Sequence, residues 1–230
     1  FQIITVGKLK EKYLKDGNKI LDIGAGAGEY SLYFARKGYE VSALELADAN
    51  IAAFKKKLTP EDKIDLVQGN ALDLSHYADK SFDIVLLFGP LYHLKNDADK
   101  QKCISEAKRV CKDGGKIFFA FISNDFVFLT EFGYDVEYFR NGDYDKETFK
   151  LNDFPFVFHT VGAARKLLAD GNVHILHEVA SDGASELLAA RINEMSDEDY
   201  TQYLRYHFYI CEKPELLGMT NHLLFVGEKK

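Results

Sequence analysis

The stretch "KILDIGAGAGEYSL", Lys19 to Leu32, sets the strongest limit on how this chain can fold. An apolar run stops at Asp22, glycines stand at positions 24, 26 and 28, and a helical pattern starts at once. A strand that turns this tightly into a helix is the opening half of a βαβ unit. Its glycine loop lets a small molecule approach the backbone closely. The alternation then repeats. "YEVSALEL", "KIDLVQG", "SFDIVLLFG" and "KIFFAFI" read as strands. "EYSLYFARKG" and "ADANIAAFKKKL" read as helices, the second capped by Asp48 and stopped at Thr59-Pro60, and a third helix runs from Asn96 or Asp97 to Gly114-Gly115. The unbroken apolar core of "SFDIVLLFG" is that of a strand buried on both faces. Strands and helices in this order imply a parallel sheet covered by helices on both sides.

The second half is less regular. A helix over 160–170, a strand "VHILHEVA" and a last strand "HLLFVGE" continue the pattern. Between them lie two less periodic stretches, approximately 123–160 and 184–217, read as cap insertions at one rim of the sheet. Ligands of open α/β sheets sit outside the carboxyl ends of the strands, so insertions there build a lid or a substrate pocket. At 230 residues and 47% apolar content the chain suits one domain spanning 1–230 with a sizeable core. Its net charge of −7 argues against nucleic acid or an anionic membrane as the main partner, since both reward basic surfaces. No apolar run reaches the roughly 18 residues of a membrane span and no secretory signal is visible, so a cytoplasmic protein is expected. Cys103, Cys111 and Cys211 show no metal-ligand spacing and read as ordinary thiols, and no metal site is expected.

Which ligand the loop holds follows from the residues around it. The dinucleotide fingerprint G-x-G-x-x-G would place its third glycine where Glu29 stands. A carboxylate in the first turn of the helix competes with a pyrophosphate for the free N–H groups there, and no Lys or Arg lies between Lys19 and Arg36 to offset it. This weighs against an NAD-dependent oxidoreductase, and the absence of G-K-[ST] excludes a P-loop. Glu45, at the end of the second strand and 21 positions after Gly24, is placed to accept from both hydroxyls of a ribose. The loop therefore reads as a grip for a nucleoside without phosphates.

These residues resemble the class I S-adenosylmethionine-dependent methyltransferases, and the resemblance runs in order along the chain. "LDIGAGAG" is similar to that family's first motif, "ALEL" to its acidic strand end and "QGNALDL" to its adenine loop. "FDIVLLFGPLYHL" is similar to its fourth-strand motif and "EAKRVCKDGGKI" to the helix–turn–strand after it. The C-terminal "LRYHFYICEKPELLGMTNHLLFVGEK" resembles a bacterial, small-molecule-type subgroup that shares "GPLYHL". The resemblance implies a Rossmann-like, seven-stranded, mostly parallel sheet with its last strand antiparallel and a helical or irregular cap. It implies S-adenosylmethionine as cofactor and S-adenosylhomocysteine as product. It implies that Gly24, Gly26 and Gly28 approach the methionine part, that Asp22 holds the loop or the cofactor ammonium, and that Glu45 binds the ribose. Leu46 packs on the adenine, Asn70 and Ala71 meet its edge, and Phe88, Gly89 and Pro90 flank the sulfonium end. Asn70 stands where the family often has aspartate.

Methyl transfer needs in-line positioning and exclusion of water, and needs a base only where the acceptor must lose a proton. Tyr92 and His93 follow the fourth strand, where the acceptor would meet the methyl group. His93 either takes that proton or only hydrogen-bonds a neighbouring loop, and both readings stand on the sequence. Tyr203, Tyr206 and His207, with Ile210, recur at helical spacing and suit either a small-acceptor pocket or simple packing on the sheet. His159 and Arg165 are weaker candidates. The expected function is methyl transfer to a small-molecule acceptor. The alternatives are a non-catalytic S-adenosylmethionine-binding regulator and the disfavoured NAD-dependent oxidoreductase.

Overall fold

A computed structural model of the chain describes residues 12–229. The expected alternation is present: β1 (Lys19–Ile23), α1 (Glu29–Ala35), β2 (Glu40–Glu45), α2 (Asp48–Lys55), β3 (Ile64–Gln68), β4 (Phe82–Leu87), α3 (Asp97–Val110) and β5 (Cys111–Ser123). After these come α4 (Asn124–Tyr134), α5 (Tyr138–Asn141), β6 (Phe158–His159), α6 (Val161–Asp170), β7 (Val173–Ala180), α7 (Ala189–Asn193), α8 (Asp197–Ile210) and β8 (His222–Lys229). The main path of the sheet is β3-β2-β1-β4-β5-β8-β7, seven strands, with the two-residue β6 paired to the end of β5. β8 is antiparallel to both β5 and β7, and the pairs among β1 to β5 are parallel.

Strict side-chain alternation divides the sheet between two cores. Leu21, Val85, Leu87, Ile117, Phe119, Leu223 and Phe225 face α3 and α6, meeting Cys103, Ile104, Ala107, Leu167 and Leu168. Ile20, Ile84, Leu86, Phe118, Leu224 and Val226 face the other way, onto Phe34 of α1. The central β4 contributes to both layers, which is why its sequence is apolar without a break. Phe54 of α2 closes a smaller cluster with Leu32 and Ala43.

Two local expectations are corrected. Asp48 is the first residue of α2, not its cap; Ala47 holds the cap position in an extended conformation, and Asp48 accepts from Gln68 Nε2 at 2.7 Å. Gly114-Gly115 does not end α3, which stops at Val110 with Asn96 as its N-cap. The glycines lie within β5, where the pairing with β4 jumps from Phe82↔Cys111 to Ile84↔Lys116. Gly115 is required there because a Cβ would stand 2.8 Å from the Asp83 carbonyl oxygen and the Cys111 sulfur.

β1 pairs β2 on one side and β4 on the other, so the chain reverses direction across the sheet at β1. Such a switch point opens a crevice at the carboxyl ends of the strands. The glycine loop follows β1 directly and lines that crevice. Among the described residues no helix is long and apolar enough to cross a membrane, and no cluster of three or more His, Cys, Asp or Glu could hold a metal ion.

Candidate active site

Two adjoining cavities flank the glycine loop and share Gly24, Gly26 and Tyr92 in their walls. The larger, about 390 Å³, is bounded by Glu45, Leu46, Asn50, Asn70, Ala71 and Gly89, with His93 at one side. The other, about 200 Å³, runs past Asp22, Tyr30 and Phe88 to Ala120, Ser181, His222 and Leu224.

The three loop glycines have different reasons to be glycine. All three have positive φ, +74° at Gly24, +56° at Gly26 and +83° at Gly28. A Cβ on Gly24 would lie 2.8 Å from Pro90 Cδ, and one on Gly28 only 2.3 Å from the Phe54 ring. Gly28 lines neither cavity, and its closest neighbour is the Phe54 ring of α2, on which α1 packs here. A Cβ on Gly26 would meet nothing within 4 Å and would project into open space. Gly26 is the glycine a ligand can use.

Glu45, 6% exposed, ties the loop to the end of β2. Its Oε2 accepts from the Gly26 N–H at 2.7 Å and its Oε1 from the Ala47 N–H at 2.8 Å. Asn50 Nδ2 also donates to Oε1, at 3.3 Å; a carboxylate has about four lone-pair sites, so about one remains for a ligand hydroxyl. Asn70 Oδ1 accepts from the Leu72 N–H at 3.0 Å, forming a turn that presents Asn70 and Ala71 to the larger cavity. Leu46 is 61% exposed beside them, an apolar surface with no protein cover.

Asp22, the last residue but one of β1, is 1% exposed. Burial raises its pKa to about 6, against the hydrogen bond donated by Ser31 Oγ at 2.7 Å, and the charge of Glu45 adds to the rise. A buried carboxylate at a cavity wall, hydrogen-bonded by Ser31, favours a cation in that cavity. Among the described residues, none lining either cavity is Lys or Arg. That set of walls fits a sulfonium nucleoside with a free ammonium, and offers no cation to a pyrophosphate. Glu29 lies at the rim, but its charge is met by Lys57, which also donates to the Ala27 carbonyl at 3.1 Å. No Lys or Arg lies between Lys19 and Arg36, as the sequence shows; the cation that meets Glu29 comes instead from after α2, remote in sequence.

Phe88 packs edge-on to Tyr30, ring centroids 4.7 Å apart, and both line the smaller cavity. Tyr92 stands between the two cavities. His93 lines the larger cavity, its ring 5.2 Å from that of Phe156. Tyr203, Tyr206 and His207 do line one cavity together with Ile210, as their spacing suggested. It is a third cavity, sharing no wall residue with the other two and separated from them by the turn that carries Ser181 on one side and Gly183 and Ala184 on the other. His159 and Arg165 line none of the three; Arg165 is paired with Glu178 at 2.5 Å.

The sequence reading missed Tyr30, Asp182, Thr220 and His222. Asp182 Oδ2 is 2.6 Å from His222 Nδ1, and its Oδ1 accepts from the His222 N–H at 3.1 Å and from the Thr220 hydroxyl. Asp182 and His222 lie 40 positions apart, so no local motif announces them; only the β7–β8 pairing brings them together.

Residues 21–119 match the methyltransferase domain family. A demethylmenaquinone methyltransferase of Clavibacter sepedonicus is 34% identical over 121 residues, covering 52% of this chain and 47% of that protein. A ubiquinone/menaquinone biosynthesis C-methyltransferase of Haemophilus ducreyi is 34% identical over 111 residues, 45% of this chain and 41% of that protein. The chain thus spans about half the length of the curated relatives it matches. The crystal structure of a SAM-dependent methyltransferase from Methanosarcina mazei superposes with a TM-score of 0.62 at 19% identity, over 96% of each chain. That of a possible histamine N-methyltransferase from Thermotoga maritima gives 0.60 at 15%, over 100% of this chain and 88% of the other. Over residues 21–119 the chain thus matches a methyltransferase domain, and it shares the fold of the solved methyltransferase structures.

Proposed function

We propose that the chain transfers a methyl group from S-adenosylmethionine to a small-molecule acceptor. The observation that carries this is the meeting of two cavities at Gly26 and Tyr92, one with nucleoside-binding chemistry and one that continues beyond the loop to a separate polar end. Glu45 binds the ribose, while Leu46, Asn70 and Ala71 hold the adenine. Asp22 takes the ammonium, and Gly26 lets the methionine part lie against the backbone. Phe88, Gly89, Pro90 and Tyr92 flank the reacting end, with His93 on the nucleoside side. The cofactor supplies an electrophilic methyl group. The protein's part is to align the acceptor with it and keep water out.

Continuation of the smaller cavity to Ala120, Ser181, His222 and Leu224 leaves room for an acceptor, which supports an enzyme over a regulator that only senses the cofactor. Its aromatic and aliphatic walls suit a flat, partly apolar molecule. The quinone-biosynthesis names of the curated relatives support a ring-bearing acceptor of this kind. Tyr203, Tyr206 and His207, walled off from the loop, then serve the shape of the rim rather than the acceptor.

Isothermal titration tests the reading. S-adenosylmethionine and S-adenosylhomocysteine are expected to bind and NAD is not. Glu45→Ala is expected to weaken S-adenosylhomocysteine by about 1–3 kcal/mol, the range for hydrogen bonds to a charged group. Binding of NAD without either sulfur nucleoside overturns the reading, and unchanged affinity in Glu45→Ala overturns the ribose role.

A further inference from the structure

The polar end of the smaller cavity contains a hydrogen-bonded chain built for proton transfer. Asp182 is 7% exposed, and both of its oxygens are engaged by Thr220 and His222. Burial alone would raise its pKa, but the hydrogen bonds and charge of His222, with help from Thr220, hold it below the usual carboxylate range. An ionised Asp182 fixes the His222 tautomer. Nδ1 carries the proton and donates to Asp182, and Nε2, across the ring, keeps its lone pair.

The His222 ring lines the cavity that also contains Phe88, Tyr92 and Leu224. The groups facing it there are Asp182 from the turn after β7, Asp22 from β1, Glu29 and Tyr30 from α1, and Tyr92 from the turn after β4. Burial pushes the Tyr30 and Tyr92 phenols up, so neither is an anion near neutral pH. Asp22 is engaged by Ser31 and, under the proposed function, by the cofactor ammonium. Glu29 is paired with Lys57. His222 is thus the group in this wall with an imidazole nitrogen lone pair and a carboxylate already placed to stabilise its cation.

We propose that His222 Nε2 accepts the proton of a ring hydroxyl on the methyl acceptor, with Asp182 as the positioning residue. This rests on the methyltransferase reading and names the acceptor class. In the step, the acceptor O–H bond breaks and its electron pair stays on oxygen. The proton bonds to the Nε2 lone pair, and Asp182 balances the imidazolium charge. A ring hydroxyl, with a pKa near ~10, gives up its proton far more readily than an aliphatic hydroxyl. The aromatic wall made by Tyr30, Phe88 and Tyr92 fits a flat ring.

The probe is 4-nitrophenol, whose anion absorbs in the visible, mixed with S-adenosylhomocysteine-loaded protein at a pH where free 4-nitrophenol is protonated. Wild type is expected to develop the anion band, with histidine ¹⁵N NMR showing His222 become an imidazolium. His222→Gln is expected to lose the band while still binding S-adenosylhomocysteine, which verifies that the variant is folded. Asp182→Asn is expected to need a pH about one unit higher for the same band, a shift that a purely structural role would not produce. A band retained in His222→Gln, a band lost instead in His93→Gln, or 4-nitrophenol left protonated by loaded wild type each overturns the proposal. Failure of S-adenosylhomocysteine to bind wild type is a different result, and overturns the methyltransferase reading on which the proposal rests.

Discussion

Gly28→Ala is expected to destabilise the protein by about 3 kcal/mol. A left-handed conformation costs a residue with a Cβ roughly 1–2 kcal/mol, and forcing extra atoms into a filled site costs about 1–3 kcal/mol. Both apply at Gly28, where φ is +83° and the new carbon would stand 2.3 Å from two atoms of the Phe54 ring. Phe54 is fully buried between α1 and β2 and has no free side to turn toward. For a chain of this size the melting temperature should fall by roughly 6–12 °C. Gly26→Ala is the control. It carries the same backbone cost without a collision, because nothing lies within 4 Å of the new carbon. Its larger effect should fall on binding of S-adenosylhomocysteine, since the added methyl group occupies the cavity. Equal melting temperatures for the two variants would show that Phe54 yields and that the packing argument for Gly28 is wrong.

This division among the glycines shows what the sequence can and cannot convey. Their spacing marked a strand–loop–helix unit, and alternation of apolar runs marked the five parallel strands, because both signals are local and repeat with the period of the element. Glu45 was legible for the same reason: its place at a strand end behind the loop is a matter of counting. Asp182 and His222 were not. His222 is the first residue of an apolar strand and Asp182 sits in a polar turn, and neither position has a periodicity that singles it out. Their pairing is created by register between β7 and β8, a long-range property. Lys57 was missed on the same ground, since the cation that meets Glu29 lies 28 positions away. The aromatic face of α8 was read correctly as one face, yet which cavity it borders depends on the turn at 181–185, which has no length or composition rule to predict its path.

Asp22→Asn should separate stability from function. A carboxyl whose pKa rises from 3.8 to about 6 on folding holds its proton more tightly in the native state. Between those values the native protein binds more protons than the unfolded chain, so stability is greatest below pH 4 on this account and falls as the pH rises through about 6. A shift of about two pH units corresponds to roughly 3 kcal/mol, present as a penalty at pH 8. The asparagine removes the charge, and its oxygen can still accept from Ser31. The unliganded variant should therefore be more stable than wild type at pH 8 by up to about 3 kcal/mol, with no advantage at pH 4, as read by denaturant unfolding at the two values. Binding should move the other way. Under the proposed function the ammonium of S-adenosylhomocysteine would stabilise ionised Asp22, so wild-type affinity should drop as the pH falls through 6 and the carboxyl is protonated, while the variant should bind weakly and without that dependence. A variant that gains stability at pH 8 and keeps full affinity would place the ammonium elsewhere. One that loses both would mean that the Ser31 bond, rather than the buried charge, governs this end of β1.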